Sequence, residues 1–143
     1  MQGRPAEGYD CPTAVWTPSL EIGVAEIDAQ HKTLFDRVAR LEAAVQAQEP
    51  YFRLEELFAF LKAYALTHFA SEEGLMRRVG YPGLSGHVQE HDEFRRRLGS
   101  LVPQWESGGD STATLVAVLA FLDSWLTDHV KSSDQRIGDF LKR

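Results

Sequence analysis

His68-x-x-x-Glu72 and His87-x-x-x-His91 are two four-residue steps between metal-ligand side chains, and each falls on the apolar stripe of a segment with helical spacing. A step of four puts both side chains on one face of a helix, one turn apart. Leu57, Phe58, Leu61, Tyr64, Ala65, His68, Glu72 and Leu75 form one such stripe, and His87, His91, Phe94 and Leu98 form another. A chain that folds these segments as helices therefore has to bury imidazoles together with a carboxylate, which is costly unless the polar groups find partners. The remaining histidines follow the same habit. His31 sits in a stripe with Leu34, Phe35, Val38 and Leu41, and His129 follows Leu122, Trp125 and Leu126. A lone core histidine is ordinarily a satisfied polar group. Five of five on inward faces, with an acid in each of two helices, point instead to metal, for which imidazole is the commonest side-chain ligand. Five imidazoles and two carboxylates exceed what one ion with an open site can use. They suit two ions bridged by carboxylates.

Asp134 is the second acid, and its spacing is awkward. Five residues beyond His129, an ideal helix has advanced about 500°, so Asp134 lies about 140° from the face of His129. For both to reach one site the backbone has to rewind, and a π-bulge or helix break is predicted within Val130–Ser133. Ser132-Ser133 is weakly helix-forming and tolerates it. Glu73 lies about 100° round from Glu72 and is read as solvated. Asp28 is read as a helix-start residue, and Glu90, Asp92 and Asp128 as facing away from the site.

Turn-formers divide the chain. Pro5, Gly8, Pro12 and Pro18 mark residues 1–18 as an extended arm, whose Trp16 is expected to pack on the rest. Helices are predicted over Glu26–Gln48, Leu54–Val79, Gly86–Leu101 and Thr112–Val130, with a short final helix over Ser133–Leu141. Pro50, Gly80-Tyr81-Pro82-Gly83 and Gly108-Gly109-Asp110-Ser111 separate them, Pro103 is expected to end or kink the third, and Asp110 or Ser111 to cap the fourth. No strand-like alternation of useful length occurs. The fold class is all-α: an antiparallel up-down four-helix bundle over 19–143 with an N-terminal arm and a short C-terminal helix, the 143 residues forming one domain.

A net charge of −6, from 15 basic and 21 acidic residues, argues against nucleic acid or anionic lipid as the main partner. Arg95-Arg96-Arg97 is read as a solvated helix face. The single cysteine, Cys11, excludes an intramolecular disulfide, is read as incidental, and points to a reducing compartment. Met1–Asp10 lacks the apolar run of a secretory signal, and no stretch is expected to supply the ~20 apolar residues of a membrane span. A cytoplasmic protein is expected.

These residues resemble the hemerythrin family in its single-domain bacterial form. The likeness covers nearly the whole chain. It rests on Trp16, on Ile27-Asp28-Ala29-Gln30-His31 with Leu34-Phe35, on Met76 to His91 with Gly80-Tyr81-Pro82, and on the seven-residue ligand pattern. The resemblance implies two non-haem iron ions with an oxo or hydroxo bridge. By the family's pattern His87, His91 and His129 bind one iron and His31 and His68 the other, while Glu72 and Asp134 bridge them. One iron is then six-coordinate and the other five-coordinate, and dioxygen binds end-on as hydroperoxide at the latter. Leu34, Phe69, Leu126 and Val130 neighbour the ligands and are the candidates for the apolar wall of the oxygen pocket. The implied role is reversible dioxygen binding as carrier or store by a monomer, with no catalytic residues and with delivery to an oxygen-consuming enzyme as a further role. The alternatives are an oxygen or iron sensor, whose fused signalling module 143 residues are not expected to accommodate, and a di-iron enzyme acting on peroxide or nitric oxide. No Glu-x-x-His motif of the ferritin-like oxidases occurs.

Overall fold

The computed structural model describes residues 14–48, 53–107 and 111–143, with Ser111 described by its backbone alone. The readings of Pro5, Gly8, Cys11, Pro12, Pro50, Gly108-Gly109-Asp110 and the cap at Asp110 or Ser111 lie outside what is described. A short 3-10 turn, Pro18–Leu20, precedes α1 (Ala25–Gln46), α2 (Leu54–Val79) and α3 (Leu84–Glu106). Next, α4 (Ser111–Trp125) runs through a π-helical segment, Leu126–Ser133, directly into α5 (Asp134–Leu141). Among the described residues there is no strand. Each long helix packs on its neighbours in sequence, and α4 returns to α1. The result is a helical bundle closed into a ring of four.

The α2 terminus shows how the sequence sets the geometry. Glu55 and Glu56 open the helix, and Arg77 and Arg78 close it, complementing the helix dipole at both ends. Gly80 then turns left-handed (φ 68°). Its N–H donates to the Arg77 carbonyl at 3.3 Å, and that of Tyr81 to Met76 at 2.9 Å. This paired closure, with Tyr81 packed near Met76, is the Schellman ending of a helix. It reverses the chain in four residues and brings α3 back along α2.

Of the two expectations at Pro103, an end to α3 is not met: the helix continues through it to Glu106. Proline forfeits one backbone hydrogen bond, but the turn around it is held by packing. Val102 is buried, and the Trp105 ring meets Phe58 at 5.6 Å.

The predicted distortion near Ser132 is present and longer than Val130–Ser133, covering Leu126–Ser133. The Asp134 N–H donates to the His129 carbonyl, five residues back. Ser132 Oγ–H donates to the Thr127 carbonyl at 3.0 Å, and Gln135 Nε2–H to Val130 at 3.4 Å and to Leu20 at 3.0 Å. Side chains thus occupy carbonyls in the widened turns and tie the N-terminal segment to the rod. The predicted final helix is consequently a continuation of the fourth. Gly138 lets it approach closely, since a Cβ there would lie 3.1 Å from Ile22 Cα.

Two apolar clusters fill the bundle. The larger holds Leu34, Phe69, Phe94, Leu126 and Val130, with Trp16 packed against it as expected; the smaller joins Ile22, Ile27, Leu75, Met76 and Ile137. On every long helix the histidines and acids of the pattern fall between the two. Asp28 is no ligand: its carboxylate accepts the N–H groups of Ile22 (2.8 Å) and Gly23 (3.2 Å), fixing the chain that enters α1. The rod Thr112–Leu141 does reach the length and apolar content of a membrane span, against the expectation that no stretch would. Its apolar side chains are spent inside the bundle: Val118, Leu119, Leu122, Leu126 and Val130 are fully buried.

Because a Cβ at Gly80 would meet nothing within 4 Å, Gly80→Ala isolates the backbone cost of the left-handed turn. Urea unfolding is expected to show a loss of about 1–2 kcal/mol with an unchanged m-value, and Gly80→Asn a smaller loss. Equal stability of both variants with the parent would show that the turn does not rely on glycine.

Candidate metal centre

Seven side chains converge in the layer between the two clusters: His31 from α1, His68 and Glu72 from α2, His87 and His91 from α3, His129 from the π segment and Asp134 from the start of α5. All are at most 4% exposed. The two carboxylates lie between two sets of imidazoles, one oxygen toward each. Glu72 Oε1 lies 2.8 Å from His87 Nε2, 3.0 Å from His91 Nε2 and 3.8 Å from His129 Nε2. Asp134 Oδ1 lies 3.0 Å from His87 Nε2 and 3.1 Å from His129 Nε2. On the other side, Glu72 Oε2 is 3.5 Å from His31 Nε2 and 3.4 Å from His68 Nε2, and Asp134 Oδ2 is 3.1 Å from His31 Nε2. The side chains form two groups, each of which could hold a metal ion.

Asp134 reaches this layer because of the π segment. One extra residue per turn sets residue i+5 where i+4 would stand in an α-helix, so His129 and Asp134 share a face.

Short contacts alone would also suit a hydrogen-bonded cluster. The geometry speaks against that as a complete account. His31 Nε2, His68 Nε2, His129 Nε2, Glu72 Oε2 and both Asp134 oxygens are buried without a hydrogen-bond partner. They stand close to one another yet do not point at one another. Ligand atoms around a common ion behave in this way: bonds of about 2.1 Å put adjacent ligand atoms about 3 Å apart. The donor set of imidazole and carboxylate fits iron and several other divalent ions.

Outer partners fix the imidazoles. Nδ1–H of His68 donates to Gln30 Oε1 (2.6 Å), that of His91 to Glu73 Oε2 (2.7 Å), and that of His129 to Glu90 Oε1 (2.7 Å). Each bond orients its ring with Nε2 facing the layer, where it can serve as a ligand atom once free of its proton. Two expectations are corrected here. Glu73 is not solvated: its side chain is 13% exposed and holds His91. Glu90 does not face away from the centre's surroundings: it holds His129 and also accepts Ser133 Oγ–H at 2.7 Å. Asp92 does face outward, paired with Arg95 at 2.8 Å, and Asp128 is exposed. The three partners share one sequence signal. Gln30, Glu90 and Glu73 each stand next to a ligand position (His31, His91 and Glu72). A residue beside an inward one points at the adjoining helix, and there it meets that helix's imidazole.

Of the expected wall residues, Leu34, Phe69, Leu126 and Val130 are all fully buried in the larger cluster. The Phe69 ring lies flat on His91 (3.9 Å, 6°). Trp125 was expected only as core, and its ring lies flat on His129 (3.9 Å, 10°).

The charges inside are strongly coupled. Burial disfavours a proton on His31 and His87, but Asp134 and Glu72 outweigh it and raise both to about 9. His129 is raised well above its ordinary value against burial, by Asp134 first and then Glu72 and Glu90. Burial wins at His68, which is lowered. Burial would also raise Glu72 and Asp134, yet the imidazoles hold both below the carboxylate range.

Comparison with known proteins agrees with this picture. The family model of the hemerythrin HHE cation binding domain matches residues 22–141. A bacteriohemerythrin of Stenotrophomonas maltophilia is 30% identical over 128 residues, spanning 90% of this chain and 81% of that protein. One from Pseudomonas aeruginosa is 32% identical over the same shares. One from Clostridium acetobutylicum is 27% identical, across 87% of this chain and 98% of its own length.

Metal has to displace protons from imidazoles that are charged near neutrality. Loading the metal-free protein at about pH 7 is expected to release a proton from each of His31, His87 and His129 and none from His68. Release is expected to decline by about two as pH rises through about 9, where His31 and His87 become neutral on their own. Indicator dyes in weak buffer read this directly. A release that does not change over that range would count against these nitrogens as ligands.

Proposed function

The chain belongs to the hemerythrin family, and on that premise we propose that it binds dioxygen reversibly at a non-haem di-iron centre, as a carrier or store rather than a catalyst. His31, His68, Glu72, His87, His91, His129 and Asp134 are the ligands in this reading, and residues 1–143 work as one unit in the cytoplasm. The observation that carries it is the unequal division of the seven donors. Three imidazoles and two carboxylate oxygens gather on one side, and two imidazoles and two carboxylate oxygens on the other. When bound, the iron pair would supply two electrons to dioxygen at the position left open on the poorer side, and take them back on release.

The chain's own residues make the two sides differ further. On the three-imidazole side His91 and His129 donate to carboxylates, Glu73 and Glu90, which raises their basicity as ligands. On the two-imidazole side His68 donates to the neutral amide of Gln30, and Nδ1 of His31 has no hydrogen-bond partner. The richer side is therefore complete and electron-rich, and the poorer side is where a small molecule enters. Leu34, Phe69, Leu126 and Val130 serve as the wall that keeps water from it. Leu126 stands one turn before His129, inside the widened segment, and is the central member of that wall. An apolar wall suits reversible binding because protons and external reductants are what would turn a bound ligand into product. The histidine-rich donor set favours binding over substrate oxidation.

The test is anaerobic reduction of the iron-loaded protein followed by titration with air and then argon. A visible absorbance band that grows with oxygen and disappears under argon, through repeated cycles, is expected. Consumption of oxygen or added peroxide without a reversible band would establish a catalyst instead. In the same assay Leu126→Ala is expected to shorten the lifetime of the oxygenated form several-fold. Leu41→Ala, equally buried, should cost comparable stability, about 2–5 kcal/mol, and leave the lifetime alone. Equal lifetimes in both variants would remove Leu126 from the pocket.

A further inference from the structure

Tyr64 sits one turn before His68 on α2 and is 5% exposed. Its ring is stacked on the His68 imidazole (4.6 Å, 17°) and meets Phe69 edge-on at 5.6 Å. Its hydroxyl is buried and makes no hydrogen bond. Such a group is rare in a well-packed core, because phenylalanine would fill the same space without losing the hydroxyl's bonds to water. Trp125 repeats the pattern on the other side. Its ring lies on His129, and its indole N–H is also buried without a partner.

The two orphaned donors belong to one place. Both rings pack on Phe69, at 5.6 Å for Tyr64 and 5.7 Å for Trp125, and on Phe94, at 6.1 and 4.8 Å. The hydroxyl is thus buried beside the His68 imidazole and among these rings, with its O–H unspent. A cleft of about 170 Å³ between α1 and α2 is lined by Tyr64 and His68. Exposed Thr33, Ala63 and Thr67 lie at its rim, and buried Tyr64 and His68 line its inner end. On the opposite side, a cleft of about 250 Å³ between α3 and α4 is lined by Trp125 and His129. There the indole covers the imidazole.

We propose that Tyr64 is the ligand-recognition residue of the chamber: its hydroxyl donates a hydrogen bond to a small acceptor ligand entering beside His31 and His68, with the Trp125 N–H as the second donor. The ligands it selects are linear di- and triatomic molecules that are anionic or gain negative charge in the chamber. Azide is the representative probe, and dioxygen the physiological one. Neutral molecules with weak acceptors gain nothing from these donors. The inference deepens the di-iron reading and rests on it for the position of the ligand. The Tyr64 hydroxyl is a binding group throughout and gives up no proton.

Tyr64→Phe removes one oxygen atom and keeps the ring. Azide binding to the oxidised, iron-loaded protein is followed by absorbance, with iron content confirmed at two per chain in parent and variant. Affinity is expected to fall about tenfold or more, the range for a hydrogen bond to a charged group, mostly through faster release. The azide stretching band is expected to shift in D2O for the parent and not for the variant. Trp125→Phe should give a smaller loss. In the metal-free protein Tyr64→Phe is expected to leave Tm unchanged or raise it, because the hydroxyl has no partner there. Azide affinity and band unchanged by Tyr64→Phe would overturn the proposal, as would a metal-free Tm lowered by several degrees, which would mark the hydroxyl as structural. Azide binding requires no reversible oxygenation, so failure of the carrier reading and failure of the Tyr64 assignment are separately visible.

Discussion

Glu72 and Asp134 place two negative charges where the interior offers no water, and the fold is arranged to make those charges tolerable. An isolated buried carboxylate costs several kcal/mol even after relaxation. Here the carboxylates stand among five imidazoles, three of which are in turn held from behind by Gln30, Glu73 and Glu90. The whole assembly is confined to one layer, with a large apolar cluster on one side and a small one on the other. This confinement explains the demands on each helix. A four-residue step places two ligands in a layer one turn thick, and α2 and α3 supply such a step. α1 supplies a single histidine, and the fourth rod has to supply His129 and Asp134 at a spacing that an α-helix does not allow.

The small cluster is what brings the last of the seven side chains into the layer. Asp134 is the first residue of α5, and α5 is anchored by Ile137 against Ile22, Ile27, Leu75 and Met76. The close approach at Gly138 and the Gln135 bond to the Leu20 carbonyl add to it. A C-terminal helix that looks dispensable for the bundle thus fixes the position of a carboxylate at its centre. The widened turns before it have poorer backbone geometry, and the hydroxyl of Ser132 and the amide of Gln135 compensate by bonding carbonyls there. The packing of the C-terminal stretch thus sets where Asp134 stands in the layer.

The bundle, the convergence of the seven side chains and the backbone distortion before Asp134 were legible in the sequence because each is a property of a single helix. Periodicity states which face is buried, a step of four states which residues share a turn, and a step of five states that something has to rewind. What was illegible depends on a second helix. Pro103 is a breaker by its own chemistry, and only the packing of Val102 and Trp105 on the rest of the core shows why α3 continues past it. Glu73 and Glu90 sit outside the inward face of their own helices, which reads as solvation. They become partners of His91 and His129 only when the adjoining helix is set beside them. Tyr64 was legible as part of an apolar stripe. That its hydroxyl lacks a partner is a fact about α2 and α4 together.

This division also separates what the layer needs in order to exist from what it needs in order to act. Gln30, Glu73 and Glu90 hold three of the imidazoles, and bound ions would satisfy the open atoms of the layer; a protein built only to store metal could stop there. Leu34, Phe69, Leu126 and Val130 are consistent with mere packing, since any core needs apolar filling. The unpartnered hydroxyl of Tyr64 and indole N–H of Trp125 are different, because a core optimised for stability has no use for them. Metal would satisfy the open atoms of the layer but not these two donors, which make physical sense when the missing acceptor arrives from outside. Stability given up at two positions, each stacked on an imidazole of a different group, is what the proposed recognition of a visiting ligand requires.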